Sequence, residues 1–306
     1  MSARANKKRI FTPKLVRHAS PGPGTMSSQG NHPTVAQSLR EYARGVAGGL
    51  MFSLPLLYTM EVWWTGFIAG PLRLLLYGLA TFVLLLGYNH YAGMHDDSSW
   101  SEVLIDSVEE LGIGLLVSVA LLWLIGRISS EMSLGEIVGK IVVEAMTVAI
   151  GISVGTAQLG LSGDDEKKKE VSAPNEARFG GQLVIAACGA TLFAANIAPT
   201  EEVVAIATSL SVAQLLALML LSLLLTALIL YYIEFAGSKR FVSQNGLISV
   251  FIGTITSYAT ALAITAAVLW FFGRFDQVAL FTALAETIVL GLASTLGASA
   301  GRLLVQ

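Results

Sequence analysis

Glu144 and Glu286 are carboxylates set inside long apolar runs, each eleven residues ahead of a glycine, Gly155 and Gly297. An acid at the centre of a membrane-crossing helix costs about 2.5–3.5 kcal/mol on insertion scales, so such residues are functional candidates by default. From Glu144, steps of seven and eleven reach Gly151 and Gly155; from Glu286 they reach Ala293 and Gly297. On a helix these positions share one stripe. Gly151-x-x-x-Gly155 and Gly297-x-x-x-Gly301 are small-residue patterns that let backbones approach closely. The acids are therefore expected in a helix contact, away from lipid, with Ser153, Thr156, Ser294, Thr295 and Ser299 adding hydroxyl oxygens. Carboxylates among hydroxyls and carbonyls suit a hard cation with oxygen ligands, or a proton relay. Glu61 and Glu202, with Glu201 beside it, are the expected outer partners of the pair. The competing reading places all these acids at a wet interface, or pairs them with Arg73, Arg127, Lys140 and Arg274.

A second set lies toward the other ends of the apolar runs. His90 and Glu234 occupy matching places, and Asp106 and Glu110 share a face at i, i+4 near the start of a helix. Together they could form an acidic mouth, although a solvated helix N-terminus, where the dipole favours acids, explains the same residues. His90, His95, Asp96 and Asp97 have the composition of a metal cluster but no zinc-site spacing. No metal and no cofactor are expected.

The elements that must position these groups are membrane spans. The chain has a mean hydropathy of +0.67, with 54% hydrophobic and 13% charged residues, against about 25% charged in soluble domains. Crossing a ~30 Å hydrocarbon core takes about 20 mainly apolar residues. Eight segments meet that length: Gly45–Phe67, Pro71–Gly93, Val103–Ile125, Glu136–Gly160, Gly180–Ile197, Leu210–Phe235, Leu247–Phe272 and Val278–Gly301. The fold class is all-α and polytopic.

The eight fall into two sets of four. Trp123-Leu-Ile-Gly126-Arg127 returns as Trp270-Phe-Phe-Gly273-Arg274, Thr59-Met-Glu61-Val62 as Thr200-Glu-Glu202-Val203, and Glu144 as Glu286. The offsets are 147, 141 and 142 residues, in the same order along the chain. A tandem duplication, 4+4, is expected. Four being even, the copies are parallel and should be related by a pseudo-twofold axis along the membrane normal. Residues 1–42 read as a disordered basic tail, 43–160 as repeat 1, 161–177 as a polar linker and 178–306 as repeat 2. An organellar transit peptide would share the tail's composition.

Cytoplasmic flanks collect Lys and Arg. Fifteen of these residues fall on the side of the N-terminus and linker, and four (Arg73, Arg127, Lys140, Arg274) on the other. Both termini are therefore expected in the cytoplasm, with the chain in a bacterial cytoplasmic membrane. The lone Cys188 excludes an intramolecular disulfide. There is no phosphate-binding Gly-x4-Gly-Lys loop, no Gly-x-Ser-x-Gly elbow and no His-Glu-x-x-His, so an enzyme is not expected. The basic tail lacks interleaved aromatics, so nucleic acid is not an expected partner either. Expected partners are the lipid bilayer, a cation or proton as substrate, and a second copy or another membrane protein. The Thr-x-Glu-Val and Trp-x-x-Gly-Arg signatures resemble those of an uncharacterised bacterial integral-membrane family, over most of residues 40–306. That resemblance implies no substrate and no site residue. Transport of a cation or protons leads, and a non-transporting scaffold or assembly subunit is the alternative.

Overall fold

The computed structural model describes residues 35–92, 99–160, 175–235 and 246–304. All regular structure among the described residues is helical. Helices α1 (Val35–Leu57), α2 (Met60–Ile68), α3 (Pro71–Ala92), α4 (Trp100–Leu124) and α5 (Leu134–Gly160) form the first half. Helices α6 (Asn175–Ile197), α7 (Glu201–Ser209), α8 (Val212–Phe235), α9 (Gly246–Phe271) and α10 (Leu280–Leu304) form the second. α1 begins inside the stretch expected as tail, and α6 inside the expected linker. The rest of the tail and linker, residues His95 to Asp97 and the side chain of Glu234 lie outside the described residues.

Seven described helices are long and apolar enough to cross a membrane, or eight if α1 and α2 count as one broken span. That pair corrects the sequence reading. Gly45–Phe67 is not one rod but two helices bent by 88°. Pro55, inside α1, removes a backbone donor and crowds the preceding turn. Two residues after α1 ends, Thr59 is extended at φ −96° and ψ 111° and starts α2 as its N-cap residue. The second half breaks at the matching place: α6 stops at Ile197, Pro199 follows, and Thr200, extended at φ −77° and ψ 147°, starts α7.

The repeated Trp-x-x-Gly-Arg phrase is a helix stop. Gly126 and Gly273 have φ of 71° and 74°, a left-handed conformation that suits glycine at the residue after a helix end. The following Arg127 and Arg274 N–H groups donate back to the Leu122 and Leu269 carbonyls at 2.7 and 3.0 Å. The same closing turn thus ends α4 and α9.

Packing within the halves also matches. α5 packs on α1, α2, α3 and α4, and α10 packs on α6, α7, α8 and α9. Glycine seams fix the tightest pairs. A Cβ on Gly151 would lie 3.0 Å from the Gly49 Cα, joining α5 to α1, and one on Gly301 would lie 3.1 Å from the Ile185 carbonyl, joining α10 to α6. Both distances are shorter than normal van der Waals contact, so the seams exist because no side chain intervenes.

Between the halves the expected twofold relation is not seen. α3 packs on α6 and α9, and α5 packs on α6, yet among the described residues no comparable packing joins α8 to α1 or α4, or α10 to α1. A twofold axis makes every such contact occur twice; these are one-sided. α5 is consequently the enclosed helix, with 78% of its apolar window buried against 39% for α10 and 17% for α8. One end of the bundle, here the junction end, carries the α1–α2 and α6–α7 breaks and the α4–α5 and α9–α10 turns. The opposite, terminal end carries the starts of α1 and α6 and the end of α10.

Candidate functional site

Glu144 lies ten residues into α5, ~15 Å from its start at 1.5 Å per residue. Glu286 lies six residues into α10. Both are completely buried, at 0% exposure. None of their four carboxyl oxygens has a hydrogen-bond partner among the described residues. Each acid shares its helix face with a glycine seam, so the sequence stripe and the packing agree.

Their surroundings differ. Tyr77 of α3 lies within the electrostatic reach of Glu144. Its hydroxyl lies 3.3 Å from the Thr147 hydroxyl, and its ring stacks on Phe271 across the halves at 4.1 Å. Glu286 instead feels the charges of Arg274 and Glu201. Arg274 staples the second break: Nε donates to the Ala198 carbonyl at 3.2 Å, one terminal nitrogen to the Pro199 carbonyl and the other to Glu201 at 3.0 Å. Both carbonyls belong to the break itself, between the end of α6 and the start of α7. In the first half Arg127 also reaches the short helix, but by stacking over the Trp63 ring at 4.2 Å. Lys140 is buried and bonded to Glu136 at 2.7 Å.

The expected outer pairs are regrouped. Glu61 and Glu201, with Arg73, Arg274, Asp276 and Trp64, line one cavity of about 260 Å³ at the junction end. Glu202 is exposed and is not part of that lining. Glu144 and Glu286 are not part of it either. Arg73 forks onto Asp276 at 2.6 and 2.8 Å. That guanidinium holds the Asp276 carboxyl below its ordinary pKa.

At the terminal end Glu110 accepts a hydrogen bond from Asn89 Nδ2 at 2.8 Å. Asn89 also donates to Ser107 at 3.0 Å and accepts from Ser153 at 3.0 Å. Asp106 sits one turn earlier on α4 and acts on Glu110 through its charge. Glu110 is thus a member of an interhelical network, and not the solvated helix-end acid of the alternative reading. His90 is exposed and packs between Tyr91 and Trp100 rings at 4.7 and 4.6 Å. No group of three or more His, Cys, Asp or Glu able to hold a metal occurs among the described residues. Sequence reasoning missed Asn89, Tyr77 and Asp276. The signal for Asn89 was an amide inside an apolar run, and for Asp276 an acid two residues after the motif arginine.

Chemically, the pair at 144 and 286 can take up a proton or a cation, because each is an acceptor group enclosed without a donor. No curated protein matches the chain, and no solved structure does. The apolar spans, the breaks at the two Thr-x-Glu-Val motifs and the paired glycine stops occur within residues 41–305. That stretch matches the integral membrane protein family DUF2391, and the chain belongs to it.

Proposed function

We propose that this protein carries protons or a small inorganic cation across the membrane, with Glu144 and Glu286 as its exchange sites. The observation behind the reading is the burial of both carboxyl groups with no donor on any oxygen. A bare carboxylate in a low-dielectric interior is too costly to persist without a proton or a cation. A chain that keeps two of them at matching places retains them for what they bind. On this reading the chain is a tandem 4+4 duplication, supported by nine-residue helices after both breaks and by the matched partners of α5 and α10. The copies would then be joined one-sidedly. The basic bias favours cytoplasmic termini, with the junction end outside.

The second reading, a non-transporting scaffold or assembly subunit, is favoured by one observation: the junction-end cavity does not include Glu144 or Glu286 in its lining. Flux decides between them. Purified protein in proteoliposomes should move H⁺ or one of Na⁺, K⁺ and Li⁺ down an imposed gradient. Glu144→Gln and Glu286→Gln should each insert normally yet abolish flux or shift its pH dependence, while Glu201→Gln retains it. Absence of any cation flux, or parental flux in both central variants, would hand the protein to the scaffold reading.

A further inference from the structure

The junction-end cavity has a charge balance that points to its occupant. Its walls bring three carboxylates, Glu61, Glu201 and Asp276, against two guanidiniums, Arg73 and Arg274, leaving one negative charge over. The pairing is already settled by geometry. Arg73 is bidentate on Asp276, and Arg274 is divided between Glu201 and two carbonyls at the α6–α7 break. The Asp276 carboxyl, held below its ordinary pKa by Arg73, stays ionised and committed. The remaining acid is Glu61, for which no ion pair forms among the described residues.

Glu61 stands on α2 with Trp64, Thr65 and Ile68, positions i, i+3, i+4 and i+7, and all four line the cavity. Thr65 spends its hydroxyl on the Glu61 main-chain carbonyl at 2.8 Å, so it does not offset the carboxylate. The other walls near this face, Ala69, Phe271 and Phe272, are apolar. Calcium takes six to eight oxygen ligands and magnesium six, which such walls do not supply, and the described residues contain no metal-binding group of three. An organic ammonium needs less: one carboxylate for its charge, an aromatic face, and apolar contact for its carbons. At about 260 Å³ the space lies just under the ~300–1,000 Å³ of drug-sized pockets, so the fitting molecule is small.

We propose that the junction-end cavity is a binding site for a small organic ammonium ion, with Glu61 as counter-ion and Trp64 as the aromatic wall. This site does not depend on Glu144 or Glu286 and stands whether or not the protein carries ions. The ammonium could belong to a soluble amine or to a phosphatidylethanolamine headgroup. Saturation-transfer NMR on ethylammonium tests it, using the full chain in phosphatidylglycerol nanodiscs and amine-free buffer. The methyl signal should show saturable transfer that NaCl at equal ionic strength does not displace. Glu61→Gln should weaken binding about tenfold or more, the scale expected when a partly desolvated charge partner is removed. Trp64→Ala should weaken it, and Trp64→Phe should restore part of it. Glu202→Gln, an exposed acid outside the cavity, should bind as the parent does. Competition by added phosphatidylethanolamine would support the same site with a lipid as its resident. No saturable transfer, equal binding by the Glu61 variant, or displacement by NaCl would each overturn the assignment.

Discussion

Replacing Glu144 by methionine should make the protein more stable. Methionine keeps an unbranched side chain of similar length and fills irregular space without strain. What it removes is a carboxyl group at 0% exposure whose two oxygens have no donor. A buried polar group left without a hydrogen bond costs about 1–3 kcal/mol, and that cost disappears in the variant. At roughly 2 °C per kcal/mol, the low end for larger chains, the unfolding midpoint should rise by about 2–6 °C. Glu110→Met supplies the opposite control, because it breaks the 2.8 Å bond from Asn89 in a network that also holds Ser107 and Ser153. Its midpoint should fall by a similar amount. Intrinsic tryptophan fluorescence during heating, in one nanodisc composition for all three proteins, gives the comparison. If Glu144→Met falls alongside Glu110→Met, Glu144 holds the fold together, and its retention needs no functional explanation.

Two further outcomes follow from the packing and the charge distribution. Gly48→Ala places a Cβ 2.8 Å from the Gly151 carbonyl and should cost about 1–3 kcal/mol by forcing α1 off α5. Gly112→Ala, with open space around the new methyl, should be neutral or stabilising in the same melting assay. In intact cells, with the buried Cys188 as a silent background, a membrane-impermeant thiol reagent should label Ser130→Cys at the junction end. It should not label Ser101→Cys at the opposite end, and the reverse pattern would invert the orientation.

The sequence carried the helical spans because hydropathy is summed over about 20 residues, and the sum survives local irregularity. For the same reason it concealed the break in Gly45–Phe67: both sides of an 88° bend are apolar. Pro55 and the Thr59 N-cap position were the local signs of that bend. Trp-x-x-Gly-Arg was legible as a recurrence, but its role required backbone angles, since only φ at Gly126 and Gly273 shows a helix stop. The burial of Glu144 and Glu286 could be read from the stripe they share with glycines. The regrouping of Glu61 with Glu201 could not, because it depends on how the halves meet. Asn89 and Glu110 lie 21 residues apart on different helices, and nothing in the spacing of one chain records a contact between faces.

The glycine seams restrict how this molecule can move. Where backbones touch, two helices cannot slide past one another without lifting apart, so α1 with α5, and α6 with α10, each behave as a single rigid link. Each link ends in a short arm, α2 or α7, attached through a bend of two or three residues. The mechanism that remains is a linkage of two bars and two cranks, coupled through α3 where it rests on α6 and α9. The cranks are held by different means. Arg274 fastens α7 by both carbonyl and carboxylate, whereas Gly66 of α2 meets Gly139 of α5 backbone to backbone, so the α7 arm is released by breaking side-chain bonds and the α2 arm only by lifting off α5.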